Sequence, residues 1–459
     1  MKILFCASEA VPFAKTGGLA DVAGALPLAL EEEGQEVAIA LPAYPSIKEA
    51  GKKVSRLTKD ISCAVFGKNI KVYFIENDKY FKRPGLYGDK AGDYPDNLDR
   101  FAYYCKRTLE LLKEINFKPD VIHCHDWQAA LIPVYLKSIF KDDGFYKDIK
   151  TVFTIHNIGY QGIFPRDEFP KLGLDWSYYN IEMLEFYDRV NILKGGLVFS
   201  DFITTVSATY SKEIQTPELG FGMEGILCQK SASVFGIING LDYNIWNPQN
   251  DPYIKVKFSL KNIGDKAFNK EDLQKECKFS PQKDVPLFGI VSRLAEQKGV
   301  DILVEALEDI LNMDLQLVIL GTGNQKYHKI LEKIAKKYPR KFSLNLKFDD
   351  PLAHKIYAGS DIFIMPSKYE PCGLGQLISL KYGTVPLVYK TGGLADTVNQ
   401  KNGFVFDKYA KDDLVKTVAK AVSAFEDKKK WQSLVKTAME CNFSWVESAK
   451  KYIKLYENK

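Results

Sequence analysis

The sequence predicts an α/β protein built from two doubly wound, mainly parallel-sheet domains. Three observations carry that prediction. Short apolar runs alternate with amphipathic segments through both halves of the chain. The octapeptide Lys15-Thr16-Gly17-Gly18-Leu19-Ala20-Asp21-Val22 recurs with one change as Lys390-Thr391-Gly392-Gly393-Leu394-Ala395-Asp396-Thr397, each copy directly after a strand-like run. Finally, 459 residues are too many for one ordinary core. A strand, a glycine pair and a helix start is the geometry in which free backbone N–H groups and a positive dipole end meet an anion. A tight strand-to-helix turn would explain Gly-Gly equally well.

Taken in order, residues 3–7 form a strand and residues 22–30 an amphipathic helix that Gly34 ends. Residues 36–41 form the next strand, which completes a βαβ unit. The loop lacks G-x-G-x-x-G, which argues against a dinucleotide enzyme. A hairpin of Ile61–Phe66 and Ile70–Ile75 follows. Glycines, prolines, acids and tyrosines over 85–97 then read as a binding loop. After a helix over 101–115, strands at 120–125 and 151–155 end in His125-Asp126-Trp127 and His156-Asn157. Parallel sheets place ligands at the carboxyl ends of their strands, so both ends are site candidates. His123 and His125 share one strand face with Cys124 on the other, and His123 reads as a core histidine rather than a zinc ligand. Strands at 203–207 and 236–242 close the first domain, residues 1–243. Residues 244–286 read as a linker.

The second domain, 287–440, repeats the rhythm more plainly. Its strands are Leu287–Val291, Gln316–Leu320, 344–348, Ile362–Met365 and Val385–Tyr389, with helices at Val300–Leu311, 327–338, 353–358 and 375–382. Its binding edge should face that of the first domain across a deep cleft. The tail, 441–459, reads as a helix crossing back to the first domain.

Composition narrows the function classes. The apolar fraction is 46%, and a net charge of +5 is spread over 63 basic and 58 acidic residues. That spread argues against a nucleic-acid binder. Eight cysteines contain no C-x-x-C pair and fit a reducing compartment. The first residues are too short an apolar run for a signal segment, and no run approaches the length of a membrane span. The expectation is a soluble cytoplasmic protein.

Three clusters in the second half are expected to act together, the weakest of them the glycine turn Gly321-Thr322-Gly323-Asn324 after a strand. Ser292-Arg293-Leu294-Ala295-Glu296-Gln297-Lys298-Gly299 places two cations at a strand end, which suits a diphosphate through charge-assisted contacts of roughly 1.5–3 kcal/mol each. Glu370-Pro371-Cys372-Gly373-Leu374-Gly375-Gln376 sets a carboxylate beside backbone N–H groups, as a nucleotide sugar would need. Cys372 lacks a neighbouring histidine and reads as a lining thiol.

With these motifs the chain resembles the bacterial glycogen synthases, the ADP-glucose-using branch of the glycogen and starch synthases. The resemblance runs through K-T-G-G-L-A-D-V at 15–22, Y-P-D-N at 94–97, H-D-W at 125–127, H-N-I-G-Y-Q-G at 156–162, G-M-E-G at 222–225 and I-N-G-L-D at 238–242. It continues through S-R-L-A-E-Q-K-G at 292–299, E-P-C-G-L-G-Q-L at 370–377 and T-G-G-L-A-D-T-V at 391–398. It implies a GT-B fold and retaining transfer of glucose to the 4-OH end of an α-1,4-glucan such as glycogen. The donor would be ADP-glucose, with UDP-glucose the alternative, and no cofactor is implied. It places Lys15 and Gly18 near the donor phosphates and Arg293 with Lys298 on the diphosphate. Glu370 lies by the transferred glucose, with Cys372, Gly373, Leu374, Gly375 and Thr391 on the donor side. His156 and Asn239 contact the donor glucose, while Asp21, Tyr87, Asp126 and Asn157 line the cleft and acceptor side.

Related retaining families carry a glutamate where Ile378 stands, so a front-face displacement is expected rather than a carboxylate nucleophile. No D-x-D pattern marks a metal at the diphosphate site, and the two cations are expected to replace one. The loop Asn399-Gln400-Lys401-Asn402 is shorter than the family's, and Asn324 stands where aspartate is common. A glucan-binding homologue without turnover is the rival. The survival of Lys15, His156, Arg293, Lys298 and Glu370 together speaks against it.

Overall fold

The computed structural model describes residues 1–458. The chain forms two compact units. One runs Met1–Gly240 and includes the C-terminal helix Trp445–Glu457; the other is Leu241–Ser444.

The first unit holds a nine-stranded sheet. Across it the strands run Val234–Gly236, Phe202–Thr205, Lys150–Ile155, Val121–His125, Lys2–Cys6, Glu36–Pro42, Ile70–Ile75, Ile61–Phe66 and Ser55–Arg56. Pairing is parallel except for the last two strands, which are antiparallel. Ile3, Leu4, Phe5 and Cys6 are all fully buried, as a central parallel strand covered on both faces requires. Helix Gly18–Glu32 lays Leu19, Val22, Ala23, Leu26 and Leu30 on the core. Helix Trp445–Glu457 packs beside it through Trp445, Ala449, Tyr452, Leu455 and Tyr456. Strand order reverses between Lys2–Cys6 and Val121–His125. Their carboxyl ends therefore flank the crevice where crossovers leave in opposite directions.

The second unit holds six parallel strands in the order Phe342–Asn345, Gln316–Leu320, Leu287–Val291, Ile362–Met365, Val385–Tyr389, Phe404–Phe406. Its switch point lies between Leu287–Val291 and Ile362–Met365.

Several expectations are corrected. The strand expected at 344–348 is Phe342–Asn345. Phe348 stands clear of it at 91% exposure, because Asp349 caps the following helix by accepting the Leu352 N–H at 3.0 Å. The strand expected at 236–242 is Val234–Gly236. Residues 244–286 are not a free linker. Phe258, Leu273 and Phe279 are buried in the second unit's core, and buried Asp251 accepts hydrogen bonds from His354 at 2.7 Å and Tyr382 at 2.5 Å. A few apolar residues decide packing there, whereas the polar average had suggested a loop.

Tyr452 is fully buried on the C-terminal helix. Tyr452→Ala is expected to destabilise the first unit by about 3 kcal/mol, against under about 0.5 kcal/mol for the exposed Lys451→Ala. Hydrogen exchange resolved to residues 1–240 under mild denaturant checks this.

Candidate functional site

In the first unit the chain leaves strand Lys2–Cys6 through a loop organised by Glu9. This carboxylate is 3% exposed and accepts both the N–H and the hydroxyl of Thr16 as well as the Gly17 N–H. Burial pushes its pKa up, and these hydrogen bonds pull it partly back. Two backbone donors expected to await an anion are therefore already taken. Lys15 lies outside this clamp, 2.7 Å from Asp21 on helix Gly18–Glu32, with both side chains well exposed.

The two glycine loops differ in what their glycines do. A Cβ on Gly18 would meet nothing within 4 Å, and one on Gly17 only a Glu9 oxygen at 4.0 Å. Open space lies before the first pair. A Cβ on Gly392 or Gly393 would run into the carbonyl oxygen of Glu370 or Cys372, so the second pair permits close packing. Gly393 N–H donates to the Glu370 carbonyl at 3.0 Å. Lys390 pairs with exposed Asp407 at 3.1 Å.

Tyr87 reaches Ser8, hydroxyl to hydroxyl, at 2.7 Å. Asn97 of the Y-P-D-N motif donates to the Tyr87 carbonyl at 2.9 Å, and fully buried Arg100 donates to the carbonyls of Tyr80 and Leu86. The loop is thus tied down from beneath, which places Tyr87 beside Glu9 and Asp126.

At the end of strand Val121–His125, Asp126 takes a left-handed backbone, φ 54°, which Asp tolerates better than most residues. Its Oδ1 accepts the His156 N–H at 2.8 Å, and the carboxylate also takes the Asn157 N–H. Burial pushes the Asp126 carboxyl up to about 7, with the charge of Glu9 adding to it. The half-buried His156 ring sits 3.0 Å, Nε2 to Nδ1, from His125, and burial pushes its pKa down to about 3. Asn157 Oδ1 accepts the Gly159 N–H at 3.0 Å. Asn239 is buried with its Oδ1 unpartnered among the described residues, an acceptor suited to a ligand hydroxyl. Both ring nitrogens of His123 are engaged, by Tyr456 and Thr154, which leaves no lone pair for a metal.

The second unit assembles its own set at its switch point. Lys298 Nζ lies 2.6 Å from Glu370 Oε2, and Ser367 Oγ donates to the same oxygen at 2.9 Å. Arg293 is exposed on the loop that leads to Lys298, its Nη2 donating to Gln297 at 3.3 Å. Cys372 and Thr391 are buried in the adjoining loops. Gln376 Nε2 donates to the carbonyls of Cys372 and Gly373, which fixes the turn that carries Gly373, Leu374 and Gly375. Ile378 is buried in the apolar core, so that position offers no carboxylate. Asn324 caps helix Gln325–Lys337 by accepting the Lys326 N–H at 2.9 Å, a structural role.

Sequence reasoning missed Glu9, Arg100, Ser367 and Phe348. Glu9 and Ser367 sit in loops at the ligand edge, a position that would have flagged them. Phe348 was absorbed into a strand by its apolar neighbours. Among the described residues, no helix is long and apolar enough to cross a membrane.

Known proteins match this architecture along its length. Residues 2–229 match the family model described as starch synthase catalytic domain, and 273–438 match glycosyl transferases group 1. A glycogen synthase of Geotalea uraniireducens is 49% identical over 84% of this chain and 83% of its own length. That of Desulforamulus reducens is 44% identical over 100% and 98%. The catalytic domain of starch synthase IV from Arabidopsis thaliana, bound to ADP and acarbose, superposes with a TM-score of 0.88 at 34% identity, covering 99% of this chain and 98% of that one.

The raised Asp126 pKa sets a pH test. The native state binds this proton more tightly than the unfolded chain, whose carboxyl titrates near 3.8. The stability held while the group is neutral is therefore lost as pH rises from about 4 through about 7. Asp126→Asn has no proton to lose. Its stability relative to wild type is expected to improve by on the order of 1 kcal/mol or more between pH 5 and pH 8. Urea melts at the two pH values measure this, and a gap that does not move would mean the carboxylate ionises normally.

Proposed function

The chain belongs to the glycogen and starch synthase family of glycosyltransferases, and from that premise we propose that it transfers glucose from ADP-glucose to the non-reducing 4-OH end of an α-1,4-glucan with retention of configuration. The observation that carries this reading is the second unit's switch point, where Lys298 is locked to buried Glu370 and exposed Arg293 lies on the same loop after strand Leu287–Val291. Two cations at the carboxyl end of a parallel strand suit a diphosphate that must leave. Phe348, exposed on the loop after Phe342–Asn345, offers its ring face to the nucleoside base.

In this reading Glu370 faces the transferred glucose, with the backbone around Cys372, Gly373, Leu374, Gly375 and Thr391 on the donor side. His156 and the unpartnered Asn239 take the sugar hydroxyls. Lys15 contributes a charge to the donor phosphates beside Gly18. Its exposed pairing with Asp21 is worth only about 0–1 kcal/mol, so exchanging that partner for phosphate costs little. Tyr87, Asp126 and Asn157, with Asp21, serve the acceptor.

Ile378 puts no carboxylate at that position, and Glu370 is tied to Lys298 and Ser367, which supports attack from the same face as departure. The acceptor 4-OH bonds to C1 as the C1–phosphate oxygen bond breaks, and the hydroxyl proton passes to the departing phosphate. Arg293 and Lys298 neutralise the charge that develops. None of the eight cysteines is in a disulfide, which fits a reducing, cytoplasmic setting.

Lys298→Ala and Arg293→Ala are each expected to lower turnover on glycogen by on the order of 10²-fold at saturating donor. Near-normal turnover in both would overturn the diphosphate assignment. Assays with ADP-glucose and UDP-glucose, with and without EDTA, test the donor and the role given to the two cations; label should enter glycogen from ADP-glucose unaffected by the chelator. No labelled glucan from either donor would leave a glucan-binding protein without turnover. Phe348→Ala should raise KM for the donor roughly fivefold or more with kcat little changed.

A further inference from the structure

His125 has no role in the reading above, yet it is the side chain that holds His156. It is fully buried, stacked 5.3 Å from Phe5 at 21° and 4.2 Å from the ring of His123. His123 is itself immobilised, through Nδ1 to Tyr456 at 2.8 Å and through Nε2 to Thr154 at 2.6 Å. His125 therefore has one ring position open to it, with Nδ1 at 3.0 Å from His156 Nε2 and with Nε2 buried and unpartnered. The second ring nitrogen of His156 engages no other side chain among the described residues.

Burial lowers the pKa of both rings, so each is neutral and carries one proton. Two arrangements satisfy the bond between them. If His156 donates from Nε2, His125 must carry its proton on the other nitrogen, which strands a buried N–H with no acceptor. If His125 donates from Nδ1, only a lone pair is left unpartnered. Buried N–H groups without an acceptor are rarer than under-used acceptors, and the second arrangement is the less costly.

We propose that His125 is a positioning residue: its Nδ1–H donates to Nε2 of His156 and fixes His156 as the Nδ1–H tautomer, a hydrogen-bond donor aimed at an oxygen of the donor sugar or its phosphate. The inference rests on the reading that His156 contacts the donor. The tautomer of a histidine is set by the bond its other nitrogen makes, and a wrong tautomer leaves geometry intact while turnover falls.

The chain has five histidines, few enough for long-range 1H–15N spectra of the labelled protein, with His156 assigned by its loss in His156→Gln. His156 should show a protonated Nδ1 and a bare, hydrogen-bonded Nε2. A protonated Nε2 overturns the proposal. His125→Asn, whose amide nitrogen replaces Nδ1 as donor, should keep that signature and most of kcat. His125→Phe should lose both, with kcat down roughly tenfold or more and KM for glycogen unchanged. Wild-type kcat in His125→Phe also overturns the proposal. If that variant does not fold, the wild-type spectrum and His125→Asn still decide. Unchanged kcat in His156→Ala would instead defeat the reading that His156 contacts the donor, whichever tautomer the spectra show.

Discussion

A parallel sheet cannot return the chain to its start without a crossover, and where successive crossovers leave in opposite directions the strand ends between them are uncovered. That constraint places the charged centre of each unit. In the first unit it opens the ends of Lys2–Cys6 and Val121–His125, which deliver Glu9 and Asp126. In the second it opens the ends of Leu287–Val291 and Ile362–Met365, which deliver Arg293, Lys298 and Glu370.

What happens at each opening depends on how the charges are held. Glu370 is buried and would be costly alone, but Lys298 and Ser367 share one of its oxygens. Glu9 is buried and bound to backbone N–H groups, which makes it a brace for the Lys15 loop rather than a free acid. Burial makes the Asp126 proton hard to remove; its backbone donors pull only partly the other way, and no cation pairs with it among the described residues. Three carboxylates at strand ends thus differ in their partners and in their burial.

The repeated octapeptide shows how much a motif can say. It marks the strand-to-helix turn in both units correctly, because a glycine pair is what such a turn tolerates. It could not distinguish open space before Gly17 and Gly18 from the carbonyls of Glu370 and Cys372 pressed against Gly392 and Gly393. That difference comes from a loop some twenty residues upstream of the second copy, and no local pattern contains it.

The sequence by itself determined the two α/β units, most of their strands, and the charged set that the family motifs share. Those features rest on local periodicity and on residue types at strand ends, which a chain displays in order. Only the tertiary structure decided that Glu9 occupies the donors of the first glycine loop, that Arg100 and Asn97 hold Tyr87, and that His125 reaches His156. It also decided that Phe348 leaves its strand and that 244–286 packs as core. Each of these depends on which distant residue arrives beside a buried polar group or an apolar face. Burial makes such a meeting obligatory, but local sequence does not name the partner.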